Sequence, residues 1–262
     1  MEDGVNETDT LVGLEKGVRS GGSTARPRFA WWTRLWLIDW LLLGSLFGLA
    51  ALLGSHSVGI EPYQRFQPAN DTMTAYPLLP DIVPSWLCAV MAVAIPLCVV
   101  GLVQLVPWRT WVRSHDVHNA ALALLSALCH AFVFTGIFKL YAGRLRPDYQ
   151  ARVAANVDVL DGMQSFPSGH SSSIFASMSL LSIYLACKLG VFHESGGHAH
   201  RFLASFWPLV IGGFVAVSRT RDYHHNFSDI LAGSVIGLVA GPLSYFSYFT
   251  VSGKAKSRVS KW

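Results

Sequence analysis

The sequence predicts an all-α protein in which six membrane-spanning helices form a bundle. Of its 262 residues, 52% are hydrophobic and only 14% are charged, whereas a soluble domain usually carries about 25% charged residues. The apolar residues also fall into six blocks, each close to the ~20 residues that a helix needs to cross a bilayer core of ~30 Å. Such a chain cannot hide its apolar surface inside one small soluble globule.

Shorter polar segments separate the blocks and set their limits. The blocks run from about Leu35 to Leu53, Pro84 to Val106, Asn119 to Phe138, Ser171 to Leu189, Phe202 to Val217 and Ile230 to Val251. Pro96 predicts a kink in the second. In the sixth, Gly233, Gly237 and Gly241 recur every four residues, a spacing that lets helices approach closely. We therefore expect a tight bundle.

Basic residues between the blocks predict the orientation of the bundle. The N-terminal tail, the second loop and the C-terminal tail are all basic, and the positive-inside rule makes their shared side cytosolic. Loops one, three and five are then extracytosolic. Residues 1–30 should form a flexible cytosolic tail without the apolar segment of a signal peptide, residues 31–251 the six-span domain, and residues 252–262 a basic cytosolic tail. The choice between plasma membrane and endomembrane stays open.

Three further features bear on other protein classes. A net charge of +4 is too small to indicate nucleic-acid binding. Asn70 begins an N-glycosylation sequon in the first loop, which agrees with the orientation but is weak support, because sequons are common by chance. The cysteines form no CxxC pair and should be small buried hydrophobes rather than a disulfide framework. They are Cys88, Cys98, Cys129 and Cys187.

The loops predicted to be extracytosolic carry three polar clusters, and the first follows the third block. It places Lys139 seven residues before Arg146, which precedes Pro147. Two cations on a chain fixed by proline could clamp a dianion, Arg through its planar fork and Lys as a point charge. The alternative is a juxtamembrane basic stretch that binds anionic head groups.

The second cluster opens the fourth block. Residues 165–170 read Ser-Phe-Pro-Ser-Gly-His, a turn whose backbone N–H groups meet a helix N-terminus, and such a terminus binds anions. His170 beside it could protonate a leaving oxygen. The alternative is a capped helix start with an incidental histidine.

The third cluster joins the fifth block to the sixth. It contains Ser218-Arg219, then His225 and Asp229. The last two are spaced i and i+4, so on a helix they share a face. A carboxylate bonded to one imidazole nitrogen leaves the other basic, which prepares a nucleophilic histidine. The alternative is a polar loop with scattered ionisable groups.

Together the three clusters resemble the tripartite signature of the type 2 phosphatidic acid phosphatase superfamily. The matching strings are Lys-x6-Arg-Pro, Pro-Ser-Gly-His and Ser-Arg-x5-His-x3-Asp, and the resemblance covers about residues 31–250. The longer strings Gly-Arg-Leu-Arg-Pro-Asp and Ser-Arg-Thr-Arg-Asp-Tyr-His-His-Asn are similar to the eukaryotic lipid phosphate phosphatase branch. Within it they look closest to fungal-type diacylglycerol pyrophosphate and phosphatidate phosphatases.

The resemblance implies a phosphate site made of cations and hydrogen-bond donors. Lys139, Arg146 and Arg219 would bind phosphate oxygens. Ser168 and Gly169 would add side-chain and backbone donors. Fixed cations can stabilise the charge of phosphoryl transfer where other phosphatases use metals, so we expect no metal and no cofactor.

The resemblance also implies the chemical steps. His225 would attack phosphorus and form a phosphohistidine, and Asp229 would orient it. His170 would protonate the departing group and then activate water.

Other ionisable residues are interpreted as auxiliary or structural. Arg144 and Arg221 flank the signature positions and could add phosphate contacts, whereas His224 does not fit the spacing and should point elsewhere. Within the spans, Asp39 is expected to snorkel or pair, and His130 to be a hydrogen-bonded core histidine.

The leading function is a metal-independent phosphatase for phosphatidate, diacylglycerol pyrophosphate and related lipid phosphates. Its partners would be its substrate and membrane lipids, with an oligomer possible and no nucleic acid. Sphingoid-base or polyisoprenyl phosphates are alternative substrates, because the clusters recognise phosphate and not the tail. A non-catalytic lipid binder or transporter is disfavoured, since both histidines are present.

Overall fold

The computed structural model describes residues 34–54, 61–66, 68, 71–105, 114–192, 198–254 and 256. Within these residues the chain forms eight α-helices and no sheet, which confirms the predicted all-α fold. They are α1 (Arg34–Gly54), α2 (Ser85–Gln104), α3 (Ser114–Ala142), α4 (Tyr149–Ala155), α5 (Val159–Gly162), α6 (Gly169–Leu189), α7 (Ala199–Arg221) and α8 (Phe227–Tyr248). The predicted N-terminal tail, Asn70 of the sequon, the basic second loop and most of the C-terminal tail lie outside the described residues.

Six of the helices, α1, α2, α3, α6, α7 and α8, are long and apolar enough to cross a membrane. They coincide with the six predicted blocks, and the chain is a multi-pass membrane protein. Three helix ends differ from the prediction. Lys139 lies in the last turn of α3, and His170 and Asp229 lie in the first turns of α6 and α8. A hydropathy pattern predicts that a span ends where polar residues begin, but these three helices include the polar residues.

Helix α6 is the centre of the bundle. It packs against α2, α3, α7 and α8, and 83% of its apolar stretch is buried, compared with 11% for the peripheral α1. Its sequence is rich in serine and alanine, small residues that allow neighbouring backbones to approach in a membrane. Consequently the site-bearing start of α6 has a fixed position relative to four other helices.

The predicted glycine spacing produces the closest of these contacts, between α6 and α8. A Cβ atom on Gly237 would lie 2.5 Å from the carbonyl oxygen of Ser172 and 2.7 Å from the amide nitrogen of Ala176. At Gly233 a Cβ would lie 2.5 Å from the carbonyl oxygen of Ser168. The expectation of tight packing is therefore confirmed here, and only glycine permits it.

Two expectations within the spans were wrong. His130 is hydrogen-bonded, with Nδ1 2.6 Å from the carbonyl oxygen of Ser126, but it is exposed in a groove between α3 and α8 rather than buried in the core. Cys98 is exposed, whereas the other three cysteines are buried, and all four are free thiols. In a membrane bundle, a residue in an apolar block can face lipid as readily as protein, and the sequence does not say which.

Gly237→Ala should destabilise the bundle by about 2 kcal/mol, the usual scale for overpacking a tight contact. Gly213→Ala is the matched control, because no atom lies within 4 Å of a Cβ built at that helical glycine. Thermal unfolding of the detergent-solubilised variants measures the difference. Equal melting temperatures would contradict this account of the contact.

Candidate active site

The sequence-predicted site residues meet at one end of the bundle. Six of the eight line a cavity of about 900 Å³, and two lie behind its wall. The six lining residues are Lys139, Arg146, Gly169, His170, Arg219 and His225. The other two, Ser168 and Asp229, are fully buried and joined by a backbone hydrogen bond of 3.0 Å from the Ser168 amide to the Asp229 carbonyl.

Several of these residues lie near the ends of helices, which places them at the same depth in the bundle. Ser168 caps α6, and its hydroxyl oxygen accepts a hydrogen bond from the Ser171 amide. Asn226 and Asp229 form a reciprocal capping box at the start of α8. Such caps satisfy amides that a helix start leaves without partners. The Ser168 side chain accepts this cap bond and lies buried behind the cavity wall, and its role as a phosphate donor stays a prediction.

His225 and Asp229 do not share a helix face as predicted, because His225 lies in the turn before α8. The capping box still turns the Asp229 carboxylate back towards it. The distance from His225 Nδ1 to Asp229 Oδ2 is 3.8 Å, too long for a hydrogen bond, and Nδ1 has no other partner among the described residues. Catalytic hydrogen bonds are often long in substrate-free structures.

The Asp229 carboxylate itself is tightly bound. Oδ2 accepts hydrogen bonds from Ser165 Oγ at 2.6 Å and the Asn226 amide at 2.9 Å. Oδ1 pairs with Arg144 Nη1 at 2.7 Å, and Arg144 also donates to Ser228 Oγ. Arg144, predicted as an auxiliary phosphate ligand, therefore holds the carboxylate behind His225.

Burial lowers the pKa of His225 to about 3, and the cations of Arg146 and Lys139 act in the same direction, against Asp229. Removal from water disfavours the charged imidazole. His225 is thus neutral near pH 7, which is the form that can attack phosphorus.

The predicted phosphate-binding cations line the same cavity as His225 but differ in their partners. Arg146 is buried and bonds to Asp161 through Nε and Nη2. Lys139 is partly buried and has no ion-pair partner among the described residues. Burial is the main cause that lowers the pKa of Arg146, opposed first by the Asp161 charge.

Arg219 is held from two sides. Nη1 donates to the Val83 carbonyl at 3.1 Å and to Asp222 Oδ2 at 3.0 Å, and Nη2 pairs with Asp81 Oδ1 at 2.8 Å. Its Nε is buried without a partner in the described structure, as is His170 Nε2. Buried polar atoms without partners are rare, and both of these belong to residues that line the cavity.

Sequence reasoning missed Asp81, Arg152 and Asp161, which also line the cavity. Arg152 is buried and pairs with Asp148 at 2.9 Å. Asp81 precedes α2 and Asp161 lies in α5, so neither carboxylate stands at a signature position. Asp161 shares its loop with Arg146, but an acidic residue near a signature cation is too common to single out, and Asp81 lies in the first loop, away from all three clusters.

His224 lines the same cavity as His225 but has different partners. Its Nε2 lies 3.3 Å from Asp81 Oδ1, and its Nδ1 lies 2.9 Å from the Asp222 carbonyl oxygen. These three side chains are close enough together to hold a metal ion. However, the Arg219 guanidinium already binds both carboxylates, so a metal there would have to compete with a resident cation.

One wall of the cavity is apolar. This wall comes from α1, α2, α3 and the segment before α2, and it extends from the charged end along the spans. These lining residues are Phe47, Leu78, Leu79, Pro80, Ala89, Ala92, Val93, Leu128 and Phe132. The cavity therefore suits a ligand with an anionic head and an apolar tail.

Fold and cavity together define a helical membrane protein that can hold an anionic group against a neutral, buried histidine. Residues 120–252 match the PAP2 superfamily, and the chain belongs to that superfamily. This confirms the family predicted from the three clusters and makes the chain a phosphatase.

Several relatives extend the match beyond the matched domain. A PA-phosphatase related-family protein of Dictyostelium discoideum is 45% identical over 227 residues, covering 84% of this chain and 82% of that protein. Lipid phosphate phosphatase 2 of Arabidopsis thaliana is 33% identical, covering 88% and 83%. Diacylglycerol pyrophosphate phosphatase 1 of Saccharomyces cerevisiae is 31% identical over 51% of this chain and 53% of its own. No solved structure matches the chain significantly.

Arg144→Gln should lower kcat about tenfold with little change in KM, because the carboxylate of Asp229 would no longer be held behind His225. A tenfold loss corresponds to a rise of ~1.4 kcal/mol in the activation free energy. Arg144→Lys should restore part of the loss, because it keeps a charge near Asp229. Arg221→Gln is the matched control: Arg221 is exposed and makes no ion pair among the described residues. Steady-state phosphate release reports both constants, and equal effects of the two Gln variants would refute a positioning role.

His225 should make the protein less stable in acid. Its folded pKa lies below the ordinary value near 6.5, so between about pH 6.5 and 3 only the unfolded chain binds the proton, and stability falls as pH falls. At pH 5 the loss is about 2 kcal/mol, from ~1.4 kcal/mol per pH unit. The melting temperature of His225→Gln should therefore drop less between pH 7 and 5 than that of the wild type, whereas the exposed His200→Gln should keep the wild-type slope.

Proposed function

We propose that this protein is a lipid phosphate phosphatase that works through a phosphohistidine on His225, without a metal ion. One observation supports this most directly: a single cavity joins a cationic, histidine-bearing end to an apolar wall along α1, α2 and α3. Relatives named lipid phosphate phosphatases and diacylglycerol pyrophosphate phosphatases point to the same substrates.

The phosphoryl group would be bound among Lys139, Arg146 and Arg219. Arginine forks match the geometry of phosphate oxygens, and the backbone amides at the start of α6, including Gly169, offer further donors at a helix N-terminus. Ser168 contributes by capping this helix. The buried, unpartnered Arg219 Nε is one donor available to such an oxygen.

The reaction would take two steps. In the first step, His225 Nε2 attacks phosphorus, and the bond from phosphorus to the leaving oxygen breaks. This nitrogen is the one farther from Asp229. His170 Nε2 gives the leaving oxygen a proton. Asp229 balances the charge that develops on the His225 ring. In the second, His170 removes a proton from water, the water oxygen attacks phosphorus, and inorganic phosphate leaves His225. The surrounding cations stabilise the charge of both transition states.

Metal independence follows from the same charges. Three cations surround the phosphate position, and the carboxylates that could hold a metal, Asp81 and Asp222, are bound by Arg219. Positive charge that a metal would bring to a phosphatase site is therefore supplied by side chains.

The apolar wall indicates how a lipid substrate enters. With its tail against α1, α2 and α3, a lipid could move sideways from the bilayer while its phosphate reaches the cations. Phosphatidate and diacylglycerol pyrophosphate fit this arrangement, and sphingoid-base and polyisoprenyl phosphates present the same head group. In the proposed orientation the site faces away from the cytosol. Residues 31–251 form the six-span domain, and residues 1–30 and 252–262 form its N-terminal and C-terminal cytosolic tails.

In excess EDTA the purified protein should release phosphate from phosphatidate at its full rate, and vanadate should inhibit it because vanadate mimics pentacoordinate phosphorus. His225→Ala should lower turnover by at least about 10³-fold, as expected when a nucleophile is removed. His200→Gln, at the opposite end of α7 from Arg219, should keep wild-type activity. Full activity of His225→Ala would exclude it as nucleophile, and a loss in EDTA that Mg²⁺ restores would exclude metal independence.

The intermediate can be trapped with His170→Asn and diacylglycerol pyrophosphate labelled in its terminal phosphate. A phosphate leaving group needs less protonation, so the first step should proceed while the second stalls. We expect base-stable, acid-labile label on His225. Absence of label from this variant, with the substrate consumed, would argue for direct attack by water.

A further inference from the structure

Both arginines predicted to bind phosphate already carry a carboxylate. The Nε and Nη2 atoms of Arg146 form the fork edge that binds phosphate with two parallel hydrogen bonds. Here Nε donates to the Asp161 carbonyl at 3.0 Å and Nη2 to Asp161 Oδ1 at 2.7 Å. One aspartate therefore occupies the whole edge, with its backbone carbonyl on Nε and its carboxylate on Nη2, so movement of the side chain frees Nη2.

The same edge of Arg219 is half occupied. Nη2 pairs with Asp81 Oδ1 at 2.8 Å, whereas Nε has no partner among the described residues. Nη1, on the other side, is fixed by Val83 and Asp222. Arg219 would thus remain in place if Asp81 moved away.

Exposure separates these two aspartates from the deeply buried acids around the site. The side chains of Asp161 and Asp81 are 39% and 31% exposed and border the cavity, whereas those of Asp148, Asp222 and Asp229 are at most 1% exposed. Burial raises the pKa of Asp161, but the nearby cations, chiefly Arg146, outweigh this effect and hold the pKa at about 2. Arg219 likewise lowers the pKa of Asp81 against the effect of burial. Both carboxylates are therefore charged, and both border the cavity in which a phosphoryl group would bind.

We propose that Asp81 and Asp161 are displaceable counterions of the phosphate site, whose places on Arg219 and Arg146 the phosphoryl group takes when it binds. This rests on the proposed function, because it requires both arginines to bind phosphate. In the empty site the two carboxylates screen cations that would otherwise repel one another. In the occupied site they lie beside the phosphate, oppose its charge and promote release of the inorganic phosphate product.

The proposal fixes the sign of the effect of neutralising these residues. Asparagine keeps the shape and a hydrogen-bonding oxygen but removes the competing charge. Asp81→Asn and Asp161→Asn should each lower the inhibition constants for inorganic phosphate and vanadate, by about tenfold for one competing charge in a partly exposed site. If the carboxylates only positioned the arginines, the same variants would bind both anions more weakly.

Asp158→Asn is the matched control. Asp158 lines the same cavity but has no ion-pair partner among the described residues, and its left-handed φ of 44° is one that asparagine adopts readily. Its inhibition constants should stay within about twofold of the wild type. Anion-induced shifts in melting temperature give a second readout for variants with little activity.

The inhibition constants separate this proposal from the proposed function. Arg146→Gln and Arg219→Gln should weaken inhibition by vanadate, and if they do not, phosphate binding at these arginines is wrong. If they do, while Asp81→Asn and Asp161→Asn leave the constants unchanged or raise them, the counterion proposal alone is overturned. Lower constants in both aspartate variants, but not in Asp158→Asn, support it.

Discussion

The Asp229 carboxylate is the interaction on which the rest of the site depends. Because it is fully buried, it requires several donors, and it takes them from three parts of the chain: Arg144 after α3, Ser165 before α6 and Asn226 at the start of α8. Its backbone carbonyl accepts a further bond from the Ser168 amide. Satisfying one buried charge therefore joins the segments that carry all three signature clusters, and the close glycine contact between α6 and α8 holds them at one depth.

Charge balance explains much of the remaining geometry. A site for a phosphate dianion must concentrate cations, yet cations gathered near a membrane repel one another and need partners when no substrate is bound. Deeply buried carboxylates such as Asp222 fix the arginines, and partly exposed ones such as Asp161 complete the balance at the cavity surface. The depressed pKa of His225 follows from the same conditions, since burial and neighbouring cations both disfavour its charged form.

The PAP2 assignment and the cavity give different information about the function, and the two agree. Membership of the superfamily makes the chain a phosphatase, and the cavity adds an apolar wall beside the charged end. A phosphate site could serve many esters. The wall, on helices that cross the membrane, is what favours a lipid.

The sequence alone determined the class of fold, the six spans and the three clusters, because hydropathy over ~20 residues and the spacing of residues within a motif are local properties. It also gave the identity of the central residues, Lys139, Arg146, His170, Arg219 and His225, which the fold gathers at one cavity. Tertiary structure alone decided which polar atoms meet. It assigned Arg144 to Asp229 and brought Asp81 and Asp161 onto the arginines, pairings that span 15 to 138 residues. Such pairings depend on how buried charges are satisfied in three dimensions, and no local pattern in the sequence records that.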